Sequence, residues 1–196
     1  ANVNPLVVVL FVVAITQLVR KWKPQNSMLV AMGMIPLSSL AMASSSWFSG
    51  NVHIFGIEVH PITFMMVIGI AIQGLAECFL SPKWLEFASK QAPRGKEGVF
   101  LGFAHINTFF AWMFGFIFSG WLLKTYCPEP TTLAPAIQEQ HALALAGQAP
   151  MPEIYAHANY LWYAYAGIGL ISFVALIVFI WVTNRIDART EAAEAA

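Results

Sequence analysis

The residue most capable of chemistry in this sequence is Glu77, a carboxylate placed inside a long apolar stretch. It is the one acidic residue within any apolar span of the chain. An ionisable group inside a bilayer costs about 2.5 to 3.5 kcal/mol on insertion scales, so it marks a functional site by default. Low dielectric favours the neutral form of a carboxyl group. We therefore expect Glu77 to exchange protons or to bind a solute.

Pro82 adds to this expectation, because it has no amide proton to donate to the carbonyl of Cys78, next to Glu77. A weakened helix beside a buried acid suits a binding site. After Pro82 the chain is expected to leave the apolar stretch and to enter a basic loop.

Further polar side chains accompany Glu77 within the apolar stretches. Gln73 lies one helical turn before Glu77 on the same face, and that face should look into protein or water rather than lipid. The next apolar stretch carries His105, Asn107 and Thr108 as candidate cavity-lining residues. His105 and Thr108 share a face, whereas Asn107 points elsewhere. A lone histidine in a span is more often a packing residue than a ligand.

The composition is that of a membrane protein. Of the 196 residues, 58% are hydrophobic and 10% are charged, and the mean hydropathy is +0.65. The formal net charge is zero and the basic residues are distributed among loops, which argues against nucleic acid as a partner.

Five apolar segments approach the roughly 20 residues that a membrane-spanning helix needs. We predict an all-α membrane protein that forms a single domain of five transmembrane helices, the first two of which include flanking residues. A long external loop, 124–159, contains a predicted short surface helix. The predicted spans are 5–19, 28–43, 62–80, 99–123 and 161–182.

The distribution of Lys and Arg predicts the orientation in the membrane. Nine of the ten basic residues fall on one side of this topology, and Lys124 alone falls on the other. Because basic loops stay in the cytoplasm, we expect a cytoplasmic C-terminus and an external N-terminus, in an integral protein of a bacterial inner membrane.

Small residues predict where helices approach each other closely. Gly33 with Ser38 and Ser39 offers such a surface in the second span, and Gly98 with Gly102 offers one in the fourth. Ser27 can cap the second helix.

No metal site or disulfide is expected. His53, Glu58 and His60 alternate in the loop before the third span, but no fourth ligand stands at a sensible spacing. This loop is expected to form a short ribbon or a re-entrant turn. Cys78 and Cys127 belong to opposite ends of the predicted topology, so a bridge between them is excluded.

Residues 76–93 resemble a known family at the sequence level. They read A-E-C-F-L-S-P-K-W-L-E-F-A-S-K-Q-A-P, and this resembles the tenth helix and following loop of the proton-dependent oligopeptide transporters of the major facilitator superfamily. The pattern departs from the family at Lys83-Trp84, where Thr-Gly or Val-Gly is frequent. Asn4-Pro5 is similar to the Asn-Pro that opens the family's eighth helix on the outside.

The resemblance implies that the chain corresponds to helices eight to twelve, most of the C-terminal six-helix half. It implies proton-coupled import of peptides or similar small zwitterions. Glu77 would then lie in the central cavity, where it engages the amino group of the substrate or takes part in protonation. The partners would be membrane lipid, the remaining transporter helices and the small-molecule substrate, and no enzymatic activity or cofactor is expected.

A second reading belongs to a different functional class. The chain can be a transporter-derived structural subunit of a larger membrane complex, photosynthetic or respiratory, without transport activity. Its 15 Phe and 7 Trp suit helix packing or pigment contact. If that complex carries chlorophyll or haem, His105 is the candidate axial ligand.

Overall fold

The computed structural model describes residues 2–48, 50, 52–54, 56–146 and 148–194, and at 187 and 190–194 it describes the backbone alone. The protein is an α-helical membrane protein with one short β ribbon. The helices are α1 (Val3–Leu18), α2 (Pro24–Ala43), α3 (Pro61–Lys90), α4 (Glu97–Tyr126), α5 (Pro135–Leu145) and α6 (Tyr160–Glu194). Among the described residues, four helices are long and apolar enough to cross a membrane, namely α2, α3, α4 and α6, and α1 is a shorter apolar helix.

Helix α2 begins at Pro24, earlier than the hydropathy suggests. Proline suits a first helical position because its fixed φ is already helical and its missing N–H would have no partner there. Ser27 is therefore inside the helix, and its predicted role as a cap is wrong. It is fully buried, and its hydroxyl donates a hydrogen bond of 2.9 Å to the carbonyl oxygen of Phe79 in α3.

Helix α3 does not end at Pro82 but continues to Lys90, so the expected passage into a loop at this proline is wrong. The residues after Pro82 include strong helix formers such as lysine, leucine and glutamate. Glu86 also forms ion pairs with Lys83 and Lys90 at helical spacing, with N–O distances of 2.7 and 2.5 Å. These local interactions favour the helical conformation after Pro82.

The centre of the bundle is α2, which packs against both α3 and α6, while α1 packs on α3. Small residues allow these close approaches. A Cβ atom added at Gly69 of α3 would lie 2.6 Å from Cγ of Met42 and 2.9 Å from the carbonyl oxygen of Ser38. At Gly169 of α6 it would lie 3.2 Å from Cδ of Pro36.

The small-residue surface predicted on α2 is part of this packing. Ser38 and Ser39 are buried, and a Cβ atom at Gly33 would lie 3.3 Å from the ring of Phe173 in α6.

Helix α4 lies at the periphery of the bundle. Only 6% of its most apolar 18-residue stretch is buried. The hydroxyls of Ser119 in α4 and Tyr165 in α6 lie 2.5 Å apart, and this hydrogen bond is one of the ties between α4 and the rest of the chain. A Cβ atom added at Gly98 or Gly102 would have no described atom within 4 Å. Their role as a packing pair stays a prediction.

One end of the bundle collects the basic segments. The ammonium group of Lys83 donates a hydrogen bond of 3.3 Å to the carbonyl of Trp22, between α1 and α2. At the same end Phe87 of α3 contacts the ring of Phe179 in α6. The sequence predicts an open loop at Lys83, but this residue lies within α3 and is only 4% exposed. We call this the basic end; the side of the membrane that it faces stays a prediction.

The opposite end carries the ribbon and the surface helix. Strands β1 (Val52–Ile54) and β2 (Ile57–Val59) pair in antiparallel fashion around Gly56, which has a φ of +82°. This confirms the expected ribbon in its described part; Ser49, Asn51 and Phe55 lie outside the described residues. Helix α5 confirms the short helix predicted within 124–159. Gly147, which follows this helix, lies outside the described residues.

Candidate functional site

The carboxylate of Glu77 is joined to helix α1. The side-chain amide of Asn4 donates a hydrogen bond of 3.2 Å from Nδ2 to Oε2 of Glu77. The first turn of α1 therefore lies beside the middle of the 30-residue helix α3. Asn4 contacts α3 at Gly74 and Glu77 rather than at its start at Pro61, and the side of the membrane that Asn4-Pro5 faces stays a prediction.

A glycine makes this contact possible. A Cβ atom at Gly74 would lie 2.7 Å from Oδ1 of Asn4 and 3.1 Å from Cβ of Val7, so only a residue without a side chain admits α1 at this distance. The Oδ1 atom is buried and has no hydrogen-bond partner among the described residues. Asn4 is thus held by packing on one side and by the carboxylate on the other.

Glu77 opens into a cleft of about 530 Å³ between α2, α3, α4 and α6, which we call the inner cleft. Thr108 of α4 lines it, as predicted for a cavity residue, together with Ser81. Most of the remaining wall is apolar and comes from Met28, Met32 and Trp84, with two leucines.

Gln73, one turn before Glu77, opens into a neighbouring space of about 660 Å³, which we call the outer cleft. Its wall includes the hydroxyls of Ser38, Ser39, Ser119, Tyr165 and Ser172. It has Met32 in common with the inner cleft. The two residues predicted to share one site therefore line adjacent clefts.

A third cleft, of about 560 Å³, lies at the ribbon end, and we call it the vestibule. It has Leu123, Leu161 and Trp162 in common with the outer cleft. His60 and Asn159 also line it. The three clefts are therefore neighbours through shared lining residues, in an order that runs from the ribbon end towards Glu77, and we call them together the groove.

His105 and Asn107 lie elsewhere. Both are exposed on α4 and neither lines one of the three clefts. His105 is accessible to a partner or a ligand from outside the chain.

The histidine and acidic side chains in and next to the ribbon interact with residues close to them in the sequence. His53 Nε2 and Glu58 Oε1 are 3.7 Å apart on well-exposed side chains. His60 accepts a hydrogen bond of 3.3 Å at Nδ1 from the amide of Ile62 and so caps α3. Within the part of the chain that the structure describes, no three His, Cys, Asp or Glu side chains are grouped to hold a metal ion.

Glu77 and Gln73 are both exposed in the described chain, so Glu77 is not the buried acid that the sequence suggested. The ion pairs found among the described residues belong to Glu58 and Glu86, and Glu77 takes part in none of them. Its hydrogen-bond donor is the neutral amide of Asn4. The sequence pattern did not indicate Asn4, Trp84 or Tyr165 as site residues, although a polar residue opening an apolar run was a usable signal for Asn4.

No protein-family model, curated protein or solved structure matches this chain. The resemblance to the oligopeptide transporters therefore stays a prediction. The function has to be inferred from Glu77 and the groove.

Proposed function

We propose that this chain forms one wall of the solute pathway of a proton-coupled secondary transporter of the major facilitator type, which imports peptides or similar small solutes. The observation that carries the proposal is the position of Glu77, which lines the last of three successive clefts leading from the ribbon end. In this proposal all five apolar helices, α1 included, cross a bacterial inner membrane with the basic end and the C-terminus in the cytoplasm.

The lining of the groove suits such a pathway. The outer cleft presents hydroxyl and amide groups, which can replace part of the water around a polar solute without binding it too tightly. The inner cleft then presents a single carboxyl group. An ionised carboxylate attracts an ammonium group and a protonated carboxyl exchanges a proton, so Glu77 can engage the amino group of the solute or take part in protonation.

Alternating access requires a second set of helices to move against this wall. The exposed surface of α4 offers a place for them, because polar groups such as His105 and Asn107 are costly against lipid. The missing partners would also cover Gly98 and Gly102.

The test is uptake of a radiolabelled dipeptide into liposomes that contain the chain with the membrane polypeptides that co-purify with it. An imposed inward proton gradient should drive uptake, and a protonophore should abolish it. Glu77→Gln keeps the size and the hydrogen bonding of the side chain but removes the exchangeable proton. We therefore expect the rate of uptake to fall at least about tenfold, because a group that transfers a proton in a mechanism usually contributes more than this factor. The matched control is Glu139→Gln, on an exposed face of α5. Unchanged uptake in Glu77→Gln would remove this residue from the mechanism.

The second candidate is a structural subunit of a larger photosynthetic or respiratory complex, and the exposure of α4 also favours it. Mild extraction separates the two proposals. A co-purifying polypeptide of about seven helices favours the transporter, whereas a large pigment or haem complex whose absorption bands shift in His105→Leu favours the scaffold.

A further inference from the structure

We infer that the outer cleft binds an uncharged carboxamide group attached to an apolar body, and that it excludes charged groups. This rests on the proposed function, because it specifies which chemical group of a solute this part of the pathway holds. It does not depend on Glu77, which lines the inner cleft. The residues that carry the inference are Ser38 and Ser39 of α2, Ser119 of α4 and Tyr165 of α6.

Two buried hydroxyls on α2 lack a hydrogen-bond partner within the described part of the chain. Ser38 and Ser39 are only 4% and 8% exposed, and neither side chain is hydrogen-bonded to a described residue. A hydroxyl in a helix commonly donates to a carbonyl three or four residues earlier, as Ser44, Thr125 and Thr183 do in this chain. An unpaired polar group away from water is costly. Both serines line the outer cleft, so a ligand there supplies the missing partners.

The outer cleft offers further hydrogen-bond donors. The hydroxyls of Ser119 and Tyr165 lie 2.5 Å apart. One of them donates to the other, and the accepting hydroxyl still has its own proton to donate. The side-chain amide of Gln73 adds two N–H groups. A carbonyl oxygen accepts two hydrogen bonds and so matches this set of donors, while the N–H groups of a carboxamide can donate to the hydroxyl oxygens.

The charge of the outer cleft favours a neutral ligand group. Among the described residues that line it there is no Asp, Glu, Lys, Arg or His. A ligand carboxylate or ammonium would therefore leave water without gaining a counter-charge from the wall of the cleft. Burial of an unpaired charge is far more costly than burial of a hydrogen-bonded amide.

The remaining wall of the outer cleft suits an apolar body. The ring of Trp162 lies beside that of Tyr165, with centroids 6.2 Å apart, and such rings pack well against an aromatic ligand. Met32 and Met42 are flexible and polarisable, so they adapt to ligands of different shape. The volume of about 660 Å³ is in the usual range for sites that hold small molecules.

Three probes with the same phenylpropyl body test this selectivity. They are hydrocinnamamide, which is uncharged, hydrocinnamate, which is an anion, and phenylpropylamine, which is a cation, each with a para-fluoro substituent. Fluorine NMR titration measures their binding to the full chain, with its co-purifying polypeptides, in detergent at neutral pH. The comparison with the amine is made in Glu77→Gln, so that the carboxylate of the inner cleft does not contribute. We expect the amide to bind at least about tenfold more tightly than either charged probe.

A double variant localises the binding. Ser38→Ala with Ser39→Ala removes two donors and should weaken binding of the amide about tenfold, as expected for two neutral hydrogen bonds. Thermal melting should be unchanged, because neither hydroxyl is bonded to a described residue. The matched control is Ser44→Ala, whose hydroxyl donates to the carbonyl of Ala41, and it should bind the amide normally.

Equal affinities for the amide and a charged probe, tighter binding of a charged probe, or full affinity for the amide in the double variant would overturn the inference. None of these results contradicts the transporter proposal, which is tested by proton-driven uptake in Glu77→Gln. Absence of proton-driven uptake, with the preference for the amide retained, would instead contradict only the transporter proposal.

Discussion

Asn4 in the first turn of α1 and Glu77 in the middle of α3 are joined through a hydrogen bond of 3.2 Å between Nδ2 and Oε2. This contact exists because Gly74 lets the backbone of α3 approach α1 without a side chain between them. In the proposed transporter, the carboxylate that exchanges protons is thereby connected to the shortest of the five apolar helices.

The first prediction concerns the strength of this link. Asn4→Ala should lower the free energy of unfolding by about 0.5 to 1.5 kcal/mol, because it removes the side-chain hydrogen bond between α1 and α3. In the Glu77→Ala background, which has no acceptor, the same change should cost less, giving a coupling of about 1 kcal/mol in a double-mutant cycle. Unfolding in mixed micelles with increasing SDS measures all four variants. Additive effects would show that the hydrogen bond contributes nothing to stability.

The second prediction concerns two glycines with opposite surroundings. Gly69→Ala places a Cβ atom 2.9 Å from the carbonyl oxygen of Ser38, so it should separate α2 from α3 at a cost of about 1 to 3 kcal/mol. Gly98→Ala is the matched control, because nothing described lies within 4 Å of the new atom. It should leave the melting temperature of the detergent-solubilised chain unchanged or slightly raised. If both variants melt alike, the α2–α3 packing is not as close as described.

The third prediction separates two lysines that share one acid. Lys83 and Lys90 both pair with Glu86, but their side chains are 6% and 62% exposed. Lys83→Met leaves the carbonyl of Trp22 without its donor and should destabilise the chain by about 1 to 3 kcal/mol. Lys90→Met should cost less than about 1 kcal/mol, since water screens an exposed pair. Thermal melting in detergent compares them, and a larger effect at Lys90 would contradict the buried position of Lys83.

The fourth prediction uses the two cysteines to determine orientation. A membrane-impermeant maleimide added outside intact cells should label Cys127 near the vestibule, whereas Cys78, 1% exposed, should react only after denaturation. Burial raises the pKa of the Cys127 thiol, so less of the reactive thiolate is present at pH 7 than for a free cysteine. Labelling should therefore accelerate about tenfold per unit as the pH rises from 7 towards 8. Labelling of Cys127 from the cytoplasmic side alone would reverse the proposed topology.

The class of protein and the residue most capable of chemistry could both be inferred without coordinates. Long apolar stretches must form helices in a bilayer, since unpaired backbone groups are too costly there, and this predicted the long helices of the bundle. The same argument marked Glu77, because a lone carboxylate in an apolar stretch is visible without any knowledge of its neighbours.

Which helix faces meet could be learned only from the folded chain. Helices that are apolar nearly all round carry little sequence signal about their buried side, so the sequence indicated packing at Gly98 and Gly102 but not at Gly69 and Gly74, where the structure shows it. Close contact depends on what the opposite helix presents, and only Met42 and Asn4 in their actual positions reveal it. Lys83 shows the same limit: its type predicts a loop, but a free carbonyl at Trp22 and a carboxylate one turn away make a buried position favourable.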